Sequence, residues 1–302
     1  MPPRRSRHLS PYKEVGHRFL PDLSALLGSP VKQALHTFKE SGRVVDFIYE
    51  ENASDGNTLV VSFPAAMTIR HRTFPYFNGR RAAKSAGLPI LAFSDPAFAI
   101  STEILTGWSL GDSTYLLHRD IPAIIDKFRQ GRRLLFIGVS AGGFPALHFS
   151  SMYQDSLCFA MNPRTALLTP PTHLHFSAGA LFPGASVAEI ASLIPTKAPR
   201  PNNHVLYAQN LSDDRYFASQ MLPYVLENGS SEQVHTILGD WGYGHVPMSP
   251  EQYAQSLAAL TRAASWSAGI DYLGGGLCTS ADDLAVTHAT QTIASRSTHS
   301  TI

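Results

Sequence analysis

The chain has very little cysteine and no long hydrophobic run. Its only cysteines are Cys158 and Cys278, which are too few for a disulfide framework and fit a reducing compartment. No apolar stretch approaches the ~20 residues that a membrane-spanning helix needs, and the basic start MPPRRSRHLSPYKEVGHRF lacks the apolar core of a secretory signal. We therefore expect a soluble, cytoplasmic protein with no membrane span.

The chain also carries almost no net charge. Its formal charge of +1 at pH 7 gives no global field that would attract nucleic acid, so a nucleic-acid partner is not expected. What is present suits a folded globular protein, since 44% of the residues are hydrophobic and 16% are charged. The 302 residues are enough for one large α/β domain. No pattern in the sequence indicates the oligomeric state.

Short apolar segments alternate with amphipathic ones along most of the chain. Strands are predicted at 43–51, 58–66, 88–96, 133–140, 156–163, 204–210 and 233–240, and helices at 77–87, 114–131, 141–153, 215–229 and 250–265. Several of the strand segments are almost continuously apolar, as strands buried on both faces must be. The alternation predicts a mostly parallel central sheet with helices on both faces.

Three parts of the chain fall outside this alternation. Residues 1–42 are expected to form an N-terminal extension before a single domain at 43–267. The segment 164–203 is rich in proline and has no clear strand, which favours an inserted cap or lid. The tail 268–302 is rich in Ser, Thr, Ala and Gly, with few core-forming residues, so we expect it to be disordered.

Gly138-Val139-Ser140-Ala141-Gly142 lies between a predicted strand and a predicted helix. A Gly-x-Ser-x-Gly sequence there lets strand and helix approach closely and exposes the serine hydroxyl on a strained turn. The alternatives are a plain glycine-rich turn or a phosphate-binding loop. Neither Gly-Lys-Ser/Thr nor a complete Gly-x-Gly-x-x-Gly follows, so the phosphate-binding interpretation is disfavoured. We interpret Ser140 as a nucleophile.

With this motif in this context, the chain resembles the α/β-hydrolase superfamily over residues 43–265. The resemblance implies the α/β-hydrolase fold with a cap insertion, and a nucleophile, acid and histidine in that chain order. GVSAGGFPAL and the segment Met161–Thr165 also resemble, more loosely, hydrolase-like proteins associated with bacterial surface polysaccharide and accessory secretion.

Candidates for the acid and the histidine follow the last two predicted strands. His245 lies in a glycine-containing loop just before the final helix, where a general base is expected. Asp213 is the preferred acid, Asp214 is the alternative and Asp240 a third candidate, although either of the first two could be a simple helix cap. Family members often carry a glycine at the place of Asn210, and Asn tolerates positive φ better than most residues.

The backbone N–H groups that would stabilise an oxyanion are predicted at two places. Ala141 follows the nucleophile, and a second donor is expected after the strand at 58–66. Pro64 has no N–H, so Ala65 is the first candidate and Ala66 the second.

Four further residues are candidates for substrate contact. Arg70 could hold an anionic group, although a solvated surface is the commoner role of such a charge. Trp108 could line a pocket or belong to the core. Asn162 and Arg164 follow a strand at the sheet edge where ligands bind.

Together these residues predict a serine hydrolase that cleaves a carboxylic ester through an acyl-enzyme, without a metal or organic cofactor. The ester could be a small molecule or linked to a glycan. The same triad could instead transfer an acyl group to a sugar, alcohol or amine. A third possibility is a non-catalytic interaction protein that keeps the hydrolase fold.

Overall fold

A ten-stranded sheet forms the centre of the computed structural model, which describes residues 3–52, 56–165, 174–193, 203–228 and 233–277. Its strands are β2 (His17–Leu20), β3 (Ala34–Glu40), β4 (Arg43–Glu50), β5 (Thr58–Ser62), β7 (Ile90–Phe93), β8 (Arg133–Val139), β9 (Ser156–Met161), β10 (His204–Asn210), β11 (Val234–Gly239) and β12 (Gly276–Leu277). Two short strands, β1 (Ser6–Arg7) and β6 (Thr73–Phe74), pair with each other outside it.

The strand order across the sheet is β12-β11-β10-β9-β8-β5-β7-β4-β3-β2. The six strands from β11 to β7 run parallel, whereas β4 is antiparallel to both of its neighbours. The carboxyl ends of the parallel strands therefore meet at one edge, with β8 near the middle.

Helices cover both faces of the sheet. They are α1 (Leu23–Gly28), α2 (Arg80–Ser85), α3 (Leu117–Arg129), α4 (Gly143–Ser150), α5 (Leu174–Leu181), α6 (Val187–Leu193), α7 (Asp214–Tyr216), α8 (Leu222–Asn228), α9 (Pro250–Arg262) and α10 (Trp266–Tyr272). Successive strand residues point to opposite faces, so Val60 packs with α2 and α9 while Val61 packs with α3 and α4. The predicted layer arrangement is confirmed. Within the described ranges, every helix is too short or too polar to cross a bilayer.

The region before residue 43 is more than an extension. Both β2 and β3 belong to the central sheet, and β3 pairs with β4 along its whole length through a turn at Ser41-Gly42. Both turn residues have positive φ, 47° and 77°, as a tight hairpin requires. The expected boundary at residue 43 therefore divides a hairpin and is wrong.

The tail also begins later than expected. Helix α10 continues to Tyr272, its residues Trp266 and Ile270 are buried, and β12 pairs antiparallel with β11. These residues belong to the fold because two large apolar side chains pack into the core. The rest of the expected tail, 278–302, lies outside the described residues. In the expected cap, the described part contains α5 and α6, and 166–173 and 194–202 lie outside it.

Candidate active site

Ser140 lies on a sharp turn between β8 and α4. Its backbone adopts φ 52°, a left-handed conformation that is strained for a residue with a side chain. A Cβ at Gly138 would lie 2.1 Å from the carbonyl oxygen of Gly142, so strand and helix approach too closely for any larger residue. The sequence therefore forms the strand–turn–helix context that an exposed nucleophilic serine needs.

Asp213 and His245 are hydrogen-bonded to each other. His245 Nδ1 lies 2.5 Å from Asp213 Oδ2, and the aspartate side chain is 6% exposed. The other carboxylate oxygen, Oδ1, accepts the N–H of Tyr216 and caps α7. A carboxylate accepts hydrogen bonds, so with Asp213 as the acceptor His245 Nδ1 is the donor, and Nε2 is the ring nitrogen outside this bond. Asp214, the alternative acid, is exposed and does not take part in this pair.

The buried side chain of Asn210 holds in place the loop between β11 and α9 that carries His245, here called the histidine loop. The amide nitrogen of Asn210 donates to the carbonyls of Gly242 and Gly244, and its oxygen accepts the N–H of Trp241. Sequence reasoning missed this clamp, because it treated Asn210 only as a substitute for glycine. Asn210 lies at the end of β10 and is not among the positive-φ residues, so conformational tolerance is not its role.

The end of β9 connects the serine turn to the histidine loop. Met161 pairs in register with Val139, and its sulfur accepts the N–H of Met248 at 3.1 Å. Asn162 donates from its amide nitrogen to the carbonyl of Val246 at 2.9 Å. The residues that flank Ser140 and His245 are thus bridged by two consecutive residues of one strand end.

Asn162 forms hydrogen bonds with both the nitrogen and the oxygen of its side-chain amide. Its oxygen accepts the N–H of Asn210, and the residue is 1% exposed. We predicted Asn162 as a substrate contact, but these contacts instead make it a residue that positions the histidine loop.

The hydroxyl of Ser140 makes no hydrogen bond within the part of the chain that the structure describes. Ser140 is half-buried, and His245 keeps 31% of its side-chain surface exposed. Bonds between nucleophile and base are commonly long in ligand-free sites and tighten when substrate binds.

The backbone donors near Ser140 differ from expectation at one position. Ala141 follows the serine within the short 3-10 turn Ser140–Gly142, at whose start the N–H groups have no helical partner. Ala65 was the first candidate for the second donor, but its N–H is engaged by the side-chain oxygen of Asn78 at 2.8 Å. Ala66 follows it in the same loop, and no hydrogen bond of its N–H appears among the described residues.

Arg164 contacts Ser140 and Tyr216, Trp108 lies against the Arg164 guanidinium, and Arg70 lies on the surface. The N–H of Arg164 donates to the carbonyl of Ser140 at 2.9 Å, and its guanidinium Nε donates to the hydroxyl of Tyr216 at 2.8 Å. The ring of Tyr216 stacks on His245 with 3.7 Å between centroids. Arg70 is exposed, and its role in binding stays a prediction.

Comparison with known proteins gives structural matches only. No protein-family model matches the chain, and no curated protein sequence does. A capsule O-acetyltransferase of Neisseria meningitidis serogroup A, solved with caged gadolinium, superposes with a TM-score of 0.54 and 15% identity over 78% of this chain and 97% of its own.

An S-formylglutathione hydrolase from Agrobacterium tumefaciens superposes with a TM-score of 0.50 and 14% identity, over 75% of this chain and 92% of its own. At such low identity these similarities concern the fold. Together with the strand order and the serine turn after β8, they establish that this chain has the α/β-hydrolase fold.

Proposed function

We propose that the protein is a serine hydrolase that cleaves a carboxylic ester with Ser140, His245 and Asp213. The observation that carries the proposal is the Asp213–His245 hydrogen bond of 2.5 Å, in a loop that the end of β9 ties to the turn of Ser140, whose backbone is strained at φ 52°. Strained backbone persists only where the surrounding structure enforces it, and it concentrates at functional sites.

The proposed reaction uses each group once in acylation. His245 Nε2 takes the proton of the Ser140 hydroxyl while Oγ bonds to the ester carbonyl carbon. The carbonyl oxygen becomes an oxyanion, which the N–H groups of Ala141 and Ala66 stabilise. When the oxyanion collapses, the bond to the alcohol oxygen breaks and His245 returns the proton to that alcohol.

Water completes the cycle in the hydrolytic reaction. His245 removes a proton from water, the resulting hydroxide attacks the acyl-enzyme, and Ser140 leaves with the proton returned by His245. Asp213 keeps the imidazole in the required tautomer and stabilises its charged form. The atoms and protons of every step balance with only these side chains, water and the ester.

Acyl transfer is the second candidate. It uses the same acyl-enzyme but admits a sugar, alcohol or amine in place of water. The O-acetyltransferase among the structural matches favours including it, since the same fold carries that reaction there. Small-molecule and glycan-linked esters are therefore both proposed substrates.

The test is intact-mass analysis after treatment with a fluorophosphonate. We expect one adduct on the wild type, none on Ser140→Ala, and adduct formation slowed by about 10²-fold or more on His245→Ala. Ester substrates with and without alcohol acceptors then separate hydrolysis from transfer. A folded wild type that forms no adduct and hydrolyses no ester would favour a non-catalytic protein with this fold.

A further inference from the structure

A buried arginine, Arg164, is hydrogen-bonded through its backbone to the proposed nucleophile. Arg164 is 9% exposed, and its backbone N–H donates to the carbonyl of Ser140 at 2.9 Å. A buried charge is costly unless it is paired. The partner of this guanidinium is therefore informative about what the site binds.

Five other arginines, of which only Arg5 is buried, contact oxygen acceptors. Arg7, Arg43, Arg80 and Arg132 each pair with a carboxylate, and the most buried, Arg5, donates to five backbone carbonyls. Within the described ranges no carboxylate lies at ion-pair distance from Arg164. Its Nη1 is buried and has no hydrogen-bond partner among the residues that the structure describes.

Two aromatic rings and one hydroxyl hold the guanidinium instead. Its carbon lies 5.6 Å from the centre of the Trp108 indole and 5.7 Å from that of the Tyr216 ring, and Nε donates to the Tyr216 hydroxyl at 2.8 Å. Aromatic faces attract cations but accept no directed charge-assisted bond comparable to an anion's. The arrangement fixes the guanidinium and leaves a donor unused.

A second unused donor belongs to the neighbouring indole. Trp108 Nε1 is also buried and, over the described ranges, has no hydrogen-bond partner; an indole nitrogen can only donate. Trp108 and Ser109 both have positive φ, 59° and 55°, and the N–H of Ser109 is held by Asp95 Oδ2 at 2.8 Å. The Trp108 indole, on a strained backbone, therefore lies against the Arg164 guanidinium. Each carries a buried N–H donor without an acceptor, so a ligand that supplies acceptor oxygens would satisfy both.

We propose that Arg164, assisted by Trp108, binds an anionic oxygen group of the substrate, so that the preferred ester carries a carboxylate or phosphate near its reacting carbonyl. This subsite rests on the proposed function, because the ester is the one that acylates Ser140. The negative oxygens accept from Arg164 Nη1 and Trp108 Nε1, and this interaction orients the ester at the serine.

The experiment compares anionic esters with matched neutral ones. For charge in the acyl part, mono-4-nitrophenyl succinate is paired with 4-nitrophenyl butyrate. For charge in the alcohol part, 4-acetoxybenzoate is paired with its methyl ester. In at least one pair we expect the wild type to prefer the anionic ester in kcat/KM by about 10- to 100-fold, the size of a hydrogen bond to a charged group.

Variants assign this preference to Arg164. Arg164→Gln should remove it mainly through KM while neutral-ester hydrolysis continues, which also reports that the variant is folded. Arg164→Lys should retain part of it, because the charge remains without the guanidinium fork. The control is Arg215→Gln, which removes the exposed arginine that precedes Tyr216 in the sequence. It should keep the anionic-to-neutral ratio of kcat/KM within about twofold of wild type, since screened surface charge contributes little.

Tyr216→Phe separates binding from positioning of the histidine. It removes the hydroxyl bonded to Arg164 Nε but keeps the guanidinium charge and both ring contacts, so the ratio of kcat/KM should fall clearly less than in Arg164→Gln. A ratio that falls equally in Tyr216→Phe and Arg164→Gln would overturn the subsite and make Arg164 a support for the tyrosine.

The outcomes also separate the subsite from the proposed function. Hydrolysis of both esters in each pair without an anionic preference would overturn the subsite and leave the triad standing. Absence of both hydrolysis and fluorophosphonate labelling would overturn the triad.

If labelling occurs without turnover, inorganic phosphate should slow the labelling of wild type at least tenfold more than that of Arg164→Gln. Equal slowing would overturn the subsite.

Discussion

Asp213 divides its two carboxylate oxygens between a helix and a histidine. One oxygen caps α7 and the other bonds to His245 Nδ1. The sequence left open whether this aspartate was a helix cap or the catalytic acid, and the structure shows contacts of both kinds. A neighbouring carboxylate, Asp214, is exposed, which provides a matched pair of variants one residue apart.

We predict that Asp213→Asn lowers kcat by about 10³- to 10⁴-fold, because the amide can donate to the imidazole and favour the wrong tautomer. Asp214→Asn should change kcat less than threefold, since an exposed carboxylate is screened by water. Steady-state ester hydrolysis checks both variants. Equal losses in the two, or a larger loss in Asp214→Asn, would contradict the assignment of the acid.

Residue positions were predictable from the sequence where they depend on local context. Ser140, Asp213 and His245 each follow a strand that the sequence predicts, in the chain order of the resembled superfamily. Asn210 and Tyr216 were missed because their contacts join distant parts of the chain: Asn210 binds the loop about 30 residues later, and Tyr216 bridges Arg164 and His245. No periodicity or motif encodes such contacts.

At the scale of elements, the serine turn and the loop after β5 are packed backbone to backbone. A Cβ at Gly142 would lie 2.6 Å from the carbonyl oxygen of Phe63 and 3.0 Å from that of Pro64. Gly142 itself has an ordinary helical φ of −67°, so the close approach alone requires glycine. The same loop carries Ala66, the proposed second oxyanion donor.

We predict that Gly142→Ala lowers kcat by about 10- to 100-fold, because the methyl group must push the loop away from the turn and displace an oxyanion donor. The control is Gly28→Ala at the end of α1, where a Cβ would meet no atom within 4 Å. Its rates should equal those of wild type. Fluorophosphonate labelling rates and kcat measured on both variants check the prediction, and an unaffected Gly142→Ala would show that the loop is not needed there.

Elements were predicted best where strands are buried on both faces. The sequence predicts all six parallel strands, and four of them, β5, β7, β8 and β9, are almost uniformly apolar. Strand β3 was missed because ALHTFKE mixes His36, Thr37 and Lys39 with apolar residues. The polar Thr37 is nevertheless buried, and its hydroxyl donates to Asp46 Oδ1. A strand whose polar side chains are paired inside the protein gives no apolar signal.

At the scale of the whole molecule, the N-terminal segment ties together two remote loops. Arg5 is 3% exposed and donates to the carbonyls of His71, Phe98, Ser101, Thr102 and Ile104. Burial lowers the pKa of this guanidinium, but an arginine remains charged in proteins. The segment expected to be a separate extension is therefore an integral part of the fold.

We predict that Arg5→Ala lowers the free energy of unfolding by about 3–5 kcal/mol, since several buried carbonyls lose their donor at once. Arg4→Ala, at an exposed neighbour, should change it by less than about 0.5 kcal/mol. Urea unfolding of the two variants checks the difference. Similar stabilities would mean that residues 3–8 contribute little to the fold.

The sheet also contains a histidine that makes the whole molecule sensitive to acid. His36 is fully buried on β3, stacked on Phe47, and its Nε2 bonds to the carbonyl of Lys32. Burial disfavours the charged imidazole and lowers the pKa of His36 to about 4. In the unfolded chain the pKa is about 6.5, so the unfolded state binds more protons between these two values.

Stability should therefore be fully present above pH 6.5 and fall as the pH drops towards 4. From the two pKa values, His36 accounts for about 2 kcal/mol of the loss between pH 7.5 and 5.0. His36→Gln keeps a donor for the Lys32 carbonyl but does not titrate, so its unfolding free energy should decline less over this interval, whatever its value at pH 7.5. His8→Gln, at an exposed position, should decline as wild type does. Urea unfolding at the two pH values measures the three slopes, and identical slopes for wild type and His36→Gln would place the acid sensitivity elsewhere in the chain.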